Sequence, residues 1–82
     1  MKVKLVVKDE DGGGAVVRWE RVVEREYAGV PRVGDWVFLD EGRIAAHPVT
    51  HVVWDNDGTA ALGFQLRGSG DFLASLGFAR RE

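Results

Sequence analysis

The chain is 82 residues long, with 13 acidic against 11 basic side chains, a net charge of -2, 45% hydrophobic residues and no cysteine. That length supports one hydrophobic core, and the missing thiols exclude a disulfide framework and a thiolate metal site, so packing, strand pairing or a partner subunit must hold the fold. The acidic balance argues against a protein that lives by non-specific attraction to phosphate while allowing a local basic face, and no apolar run approaches the roughly 18 residues of a membrane span.

Val3, Leu5 and Val7 alternate with Lys2, Lys4 and Lys8, the period-two pattern of a half-buried strand with a cationic outer face. A strand is predicted over 2–8. The same pattern does not read as a secretory signal, so a cytoplasmic, unprocessed protein is expected. Asp9 to Gly14 combines turn formers with three glycines and predicts a mobile hairpin connection. From Val16 to Tyr27 β-branched and aromatic residues predict a second strand, but the apolar positions shift from Val17 and Trp19 to the adjacent Val22 and Val23. A β-bulge near Glu20 to Val22 would repair the register. A helix competes, since Trp19, Val22, Val23 and Glu26 also suit a 3.6-residue period, although the β-branched content and the missing cap favour a strand.

Pro31 ends that strand, because it lacks an amide donor and restricts Val30 to extended conformations. Gly34-Asp35 leads into a third strand at Trp36 to Leu39, and Asp40 to Arg43 reads as a hairpin turn. The fourth strand, over 43–54, is broken at Pro48. Asp55-Asn56-Asp57-Gly58 is a turn with Gly58 in the left-handed position, and Ala60, Leu62, Phe64 and Leu66 mark one face of the fifth strand. After Arg67 to Gly70, either Ser69 or Asp71 caps a short helix carrying Phe72, Leu73, Leu76 and Phe78, expected to plug one end of the sheet; Arg80, Arg81 and Glu82 should fray. The expected fold is mainly β, a single domain over 1–82: a small five-stranded bent antiparallel sheet or SH3-like barrel with one short C-terminal helix.

Pro31-Arg32-Val33-Gly34-Asp35-Trp36-Val37, followed by Val49-Thr50-His51-Val52-Val53-Trp54, resembles a pattern of uncharacterised short bacterial and phage proteins with an SH3-like β-barrel. The resemblance covers under half the chain and implies a binding or assembly role by analogy of fold. Its residues also have folding reasons, since Pro fixes the turn, Gly-Asp reverses the chain and the spaced valines fill a wall.

Chemistry-bearing constellations are sparse. His47 and His51 on one unbroken strand would stand about 13 Å apart, too far for two ligands of one ion, and Asp55 to Gly58 lacks the closing glutamate of a calcium loop. Ser69 and Ser75 sit in no nucleophile motif, Gly12 to Gly14 precede no Lys-Ser/Thr pair, and Glu20, Glu24 and Glu26 alternate with arginines as a solvated face does. No catalysis, metal or cofactor is therefore expected. The distinctive feature is three tryptophans in so short a chain. Trp36 and Phe38 share the strand face opposite Val37 and Leu39, so one pair is buried and the other exposed. The reading is a non-catalytic interaction module that binds a protein partner, or associates with itself as an oligomer such as a homodimer, through an aromatic and arginine patch of Trp19, Trp36 and Phe38. The alternative is nucleic-acid or nucleotide binding by Arg18, Trp19, Arg21 and Arg25, with Lys2, Lys4 and Lys8 adding charge if the first strand lies alongside.

Overall fold

The computed structural model describes residues 1–81. Within them lie seven strands and one helix: β1 (Lys2–Glu10), β2 (Val16–Glu24), β3 (Trp36–Phe38), β4 (Ala46–Pro48), β5 (His51–Trp54), β6 (Ala60–Arg67), α1 (Gly70–Ser75) and β7 (Ala79–Arg81). The chain is mainly β with one short helix, as its alternation predicts. Five strands form one sheet in the order β5-β6-β1-β2-β7, and β3 and β4 form a separate two-stranded ribbon. The sheet does not close into a barrel, and it is mixed rather than antiparallel, because β1 runs parallel to β6. A parallel neighbour requires a crossover, and residues 25–59, which contain the ribbon and β5, supply it. Among the described residues no helix is long and apolar enough to cross a membrane.

The β1–β2 hairpin pairs continuously from Lys2 with Glu24 to Glu10 with Val16. No bulge interrupts it. Instead Val23 turns inward and the adjacent Val22 stays exposed, so the apparent register shift is an apolar residue left on the outer face. The connection is tied down: Asp11 Oδ1 accepts the Gly13 and Ala15 amides at 2.8 and 3.0 Å. The β5–β6 turn closes as expected, with Gly58 at φ 85 and the Asp55 amide donating to the Thr59 carbonyl at 2.9 Å.

One face of the sheet carries the core. Val3, Leu5, Val7, Leu62 and Phe64 lie side by side and are fully buried. Val37, Leu39 and Val49 from the ribbon and its flank join them, with Leu73 of α1 and Phe78. The helix lies against this face rather than plugging a barrel end. Asp9 Oδ1 accepts the Ser69 amide at 2.9 Å, while the Ser69 side chain makes no capping bond. Gly77, at φ 87, ends the helix: its amide donates to the Ala74 carbonyl and that of Phe78 to the Leu73 carbonyl, both at 3.1 Å. This αL termination, with Leu73 and Phe78 buried together, sends the chain back to the sheet. Arg80 and Arg81 therefore pair along β2 as part of an edge strand instead of fraying; Glu82 lies outside the described residues.

Candidate functional site

The ribbon is built on a turn that the sequence specifies locally. Asp35 Oδ2 accepts the Arg32 amide at 2.9 Å and the Asp35 amide returns to the Arg32 carbonyl at 3.0 Å, with Gly34 at φ 94 between them. Bonds from Gly34 to Val49 and from Val49 to Asp35 then anchor β3 to the strand that returns beside it. At the far end Asp40 holds the hairpin shut, accepting the Ala45 amide at 2.9 Å and the Ile44 amide at 3.1 Å. These amides, Ala45 foremost, keep the Asp40 carboxyl below the usual carboxylate range against the opposing effect of desolvation.

This scaffold fixes which half of β3 sees solvent. Val37 and Leu39 are buried, whereas Trp36 is 69% exposed and Phe38 37% exposed. Across the ribbon Trp36 stands opposite Pro48 and Phe38 opposite Ala46, so directly paired positions continue one apolar outer surface. Ile44 at the ribbon's tip is 87% exposed, and Val33 ahead of β3 is exposed as well. Beside β3 an open cleft of about 640 Å³ separates the ribbon from residues 24–31, with Tyr27 and Pro31 on its far wall. Its lining is acidic: Glu24, Glu26, Asp35, Asp40 and Glu41 face two guanidiniums, Arg25 and Arg43.

The tryptophans expected to act together are separated. Trp19 is half-buried against the core, its Cζ2 only 3.4 Å from where a side chain on Gly70 would begin, and its indole N–H is buried without a partner. It is not part of the exposed surface around Trp36 and Phe38. The proposed arginine group is divided too. Arg25 donates to the Phe38 carbonyl, lies 3.4 Å from the Tyr27 hydroxyl and sits 3.5 Å from Glu41, with a side chain only 13% exposed. It is a strut between the cleft wall and the ribbon. Arg21, on the core side of β2, reaches the same Glu41 at 3.6 Å. Only Arg18 faces outward beside the lysines of β1, paired with Glu20 at 2.7 Å while Lys4 pairs with the other oxygen at 2.8 Å. His47 lies in β4 and His51 in β5, on separate sheets.

Sequence reasoning missed Ile44, Pro48 and Tyr27 as parts of the aromatic surface, and Arg81 as a neighbour of Arg18, while Lys8 does stand beside Arg18 as expected if the first strand lay alongside. Pro48 was open to discovery by asking what lies opposite Trp36 in a hairpin. The Arg81 neighbourhood depends on β7, for which three polar-flanked residues give no period. No family model, curated protein or solved structure matches the chain.

Proposed function

We propose that the protein is a non-catalytic interaction module whose docking site is the outer face of the β3–β4 ribbon and the cleft beside it. The observation that supports this reading is the pair Trp36 and Phe38, large aromatics held outward by a ribbon whose alternate residues are buried. Folding does not require aromatics there, and exposed aromatics grouped with a proline and an aliphatic tip make the kind of anchor that carries binding energy. The acidic cleft selects the partner's chemistry. A protein segment presenting Lys or Arg between apolar residues places cations among the carboxylates and over the Trp36 face. An isologous dimer through this face would set one acidic rim against another, which disfavours a second copy of the chain as the occupant.

The test is a fluorescence titration with synthetic peptides alternating Arg with Leu, against the same peptides carrying Glu for Arg, together with the solution mass over a range of concentrations. Saturable binding of the basic peptides to a monomer, lost in Trp36→Ala at unchanged melting temperature, is the expected result. Equal binding by Trp36→Ala would dismiss the site; a concentration-independent dimer dissociated by that substitution would assign the ribbon to self-association.

A further inference from the structure

The side of the five-stranded sheet turned away from the core is uncovered, and its registers make an unusual row. Lys8 of β1 pairs with Arg18 of β2, and Arg18 pairs with Arg81 of β7. Three exposed cations thus stand directly opposite one another on adjacent strands, over about 10 Å at ordinary strand spacing. Like charges in that relation destabilise a sheet. Of the carboxylates on this face, Glu10 pairs with Arg67 and Glu24 with the N-terminal amine, and Glu20 is shared between Lys4 and Arg18, the middle cation of the row. Among the described residues, Lys8 and Arg81 have no carboxylate within 4 Å.

Beside the row lies a hollow of about 280 Å³ with Val6, Val53 and Ala61 in its walls and Asp55 as the one carboxylate residue of its lining. Gly63 forms its floor, and the absence of a side chain there is used: a Cβ would lie 3.1 Å from the His51 Cβ and 3.3 Å from its Nδ1. The imidazole of β5 therefore approaches the backbone of β6, steadied by a 2.8 Å hydrogen bond between Nδ1 and the Thr50 hydroxyl. A flat ring and a hollow with apolar walls, next to a cation row of which Lys8 and Arg81 lack a carboxylate partner among the described residues, are the two halves of a site for an unstacked nucleotide.

We infer that this face binds single-stranded nucleic acid, with phosphates on the Lys8, Arg18 and Arg81 row and a base against His51 over Gly63. The surface is separate from the aromatic ribbon, and a bound polyanion relieves the repulsion that the row builds into the sheet.

A fluorescein-labelled single-stranded oligothymidylate is titrated with the full chain from about 50 mM salt upward. Three phosphate contacts predict a slope of log affinity against log salt of about -2, and Lys8→Gln and Arg81→Gln should each flatten it by about 0.7. His51→Ala should weaken binding at least about fivefold while keeping the slope, as loss of a stacked base does. Trp36→Ala should leave both unchanged. No binding at about 50 mM salt, or equal binding by the Lys8→Gln/Arg81→Gln double variant, overturns the inference. Equally tight binding to vesicles rich in phosphatidylserine would also overturn it, by showing a general anionic-surface patch; thymidine monophosphate matching the oligomer's affinity would replace the strand with a free nucleotide.

Discussion

β1 and β3 obey the same alternation with opposite results. In β1 the inward apolar residues Val3, Leu5 and Val7 are fully buried, and the outward ones are three lysines, a glutamate and a single valine. In β3 the inward residue is Val37, and the outward ones, Trp36 and Phe38, are larger than anything the ribbon buries. Folding accounts for both positions in β1, since apolar area leaves water and charge remains in it. It accounts for only one side of β3. Where a strand places its largest apolar side chains on the wet face, a surface is being maintained at some cost in solubility, and this contrast is what supports the proposal that the ribbon is the docking site.

The sharpest way to break that contrast is to truncate an aromatic on each side of it. Phe64 is fully buried among Leu5, Val7 and Leu73, and Phe64→Ala should cost about 3–5 kcal/mol, a large share of the stability of a domain this size. Trp36→Ala, removing more atoms, should change the unfolding free energy by less than about 0.5 kcal/mol. Chemical denaturation of the two variants decides it. A Trp36→Ala protein as unstable as Phe64→Ala would make the ribbon's outer face a structural one and remove the basis for docking.

A smaller effect tests how the helix is held. Asp9 is a charged residue on the core side, only 3% exposed, and its carboxylate accepts the amide that opens α1. Asp9→Ala leaves that amide without its partner and should cost about 1–3 kcal/mol, with amide exchange at Leu73 and Phe78 accelerating more than in β1. Uniform acceleration across the sheet would show that Asp9 supports the core as a whole. The same residue illustrates what the sequence made legible. Its neighbours Val3, Leu5 and Val7 announce their strand by period, as do Ala60 to Leu66, and Gly58 announces its turn. Asp9 itself reads as the first residue of a polar loop, because its partner lies 60 residues away and no local pattern encodes that distance. The parallel pairing of β1 with β6 is hidden for the same reason. At the site, alternation narrowed β3 to two faces and packing chose between them; the division of Trp19 from Trp36, and the Lys8 to Arg81 row, depended on which strands became neighbours.

The smallest effect concerns Glu20, the carboxylate set among the cations of the open sheet face. Its hydrogen bond from Lys4 holds it below the usual glutamate range, helped by the charges of Arg18 and Arg81 and opposed by desolvation. A carboxyl whose folded pKa is depressed adds stability above its unfolded value, about 4.3, and loses it as pH falls through the lower folded value. Glu20→Gln should therefore lower neutral-pH stability by less than about 1 kcal/mol and make the decline between about pH 5 and 3 shallower, as denaturant unfolding over that range would show. An unchanged acid profile would mean that the pairing with Lys4 and Arg18 is not kept in solution. The substitution also acts on the row itself. With Glu20 neutral, Lys4 and Arg18 lose their counter-charge, and oligothymidylate binding should tighten severalfold at low salt while the protein becomes slightly less stable. Stability and affinity moving in opposite directions would show that this face, unlike the outward side of an ordinary strand, is charged for a ligand rather than for water.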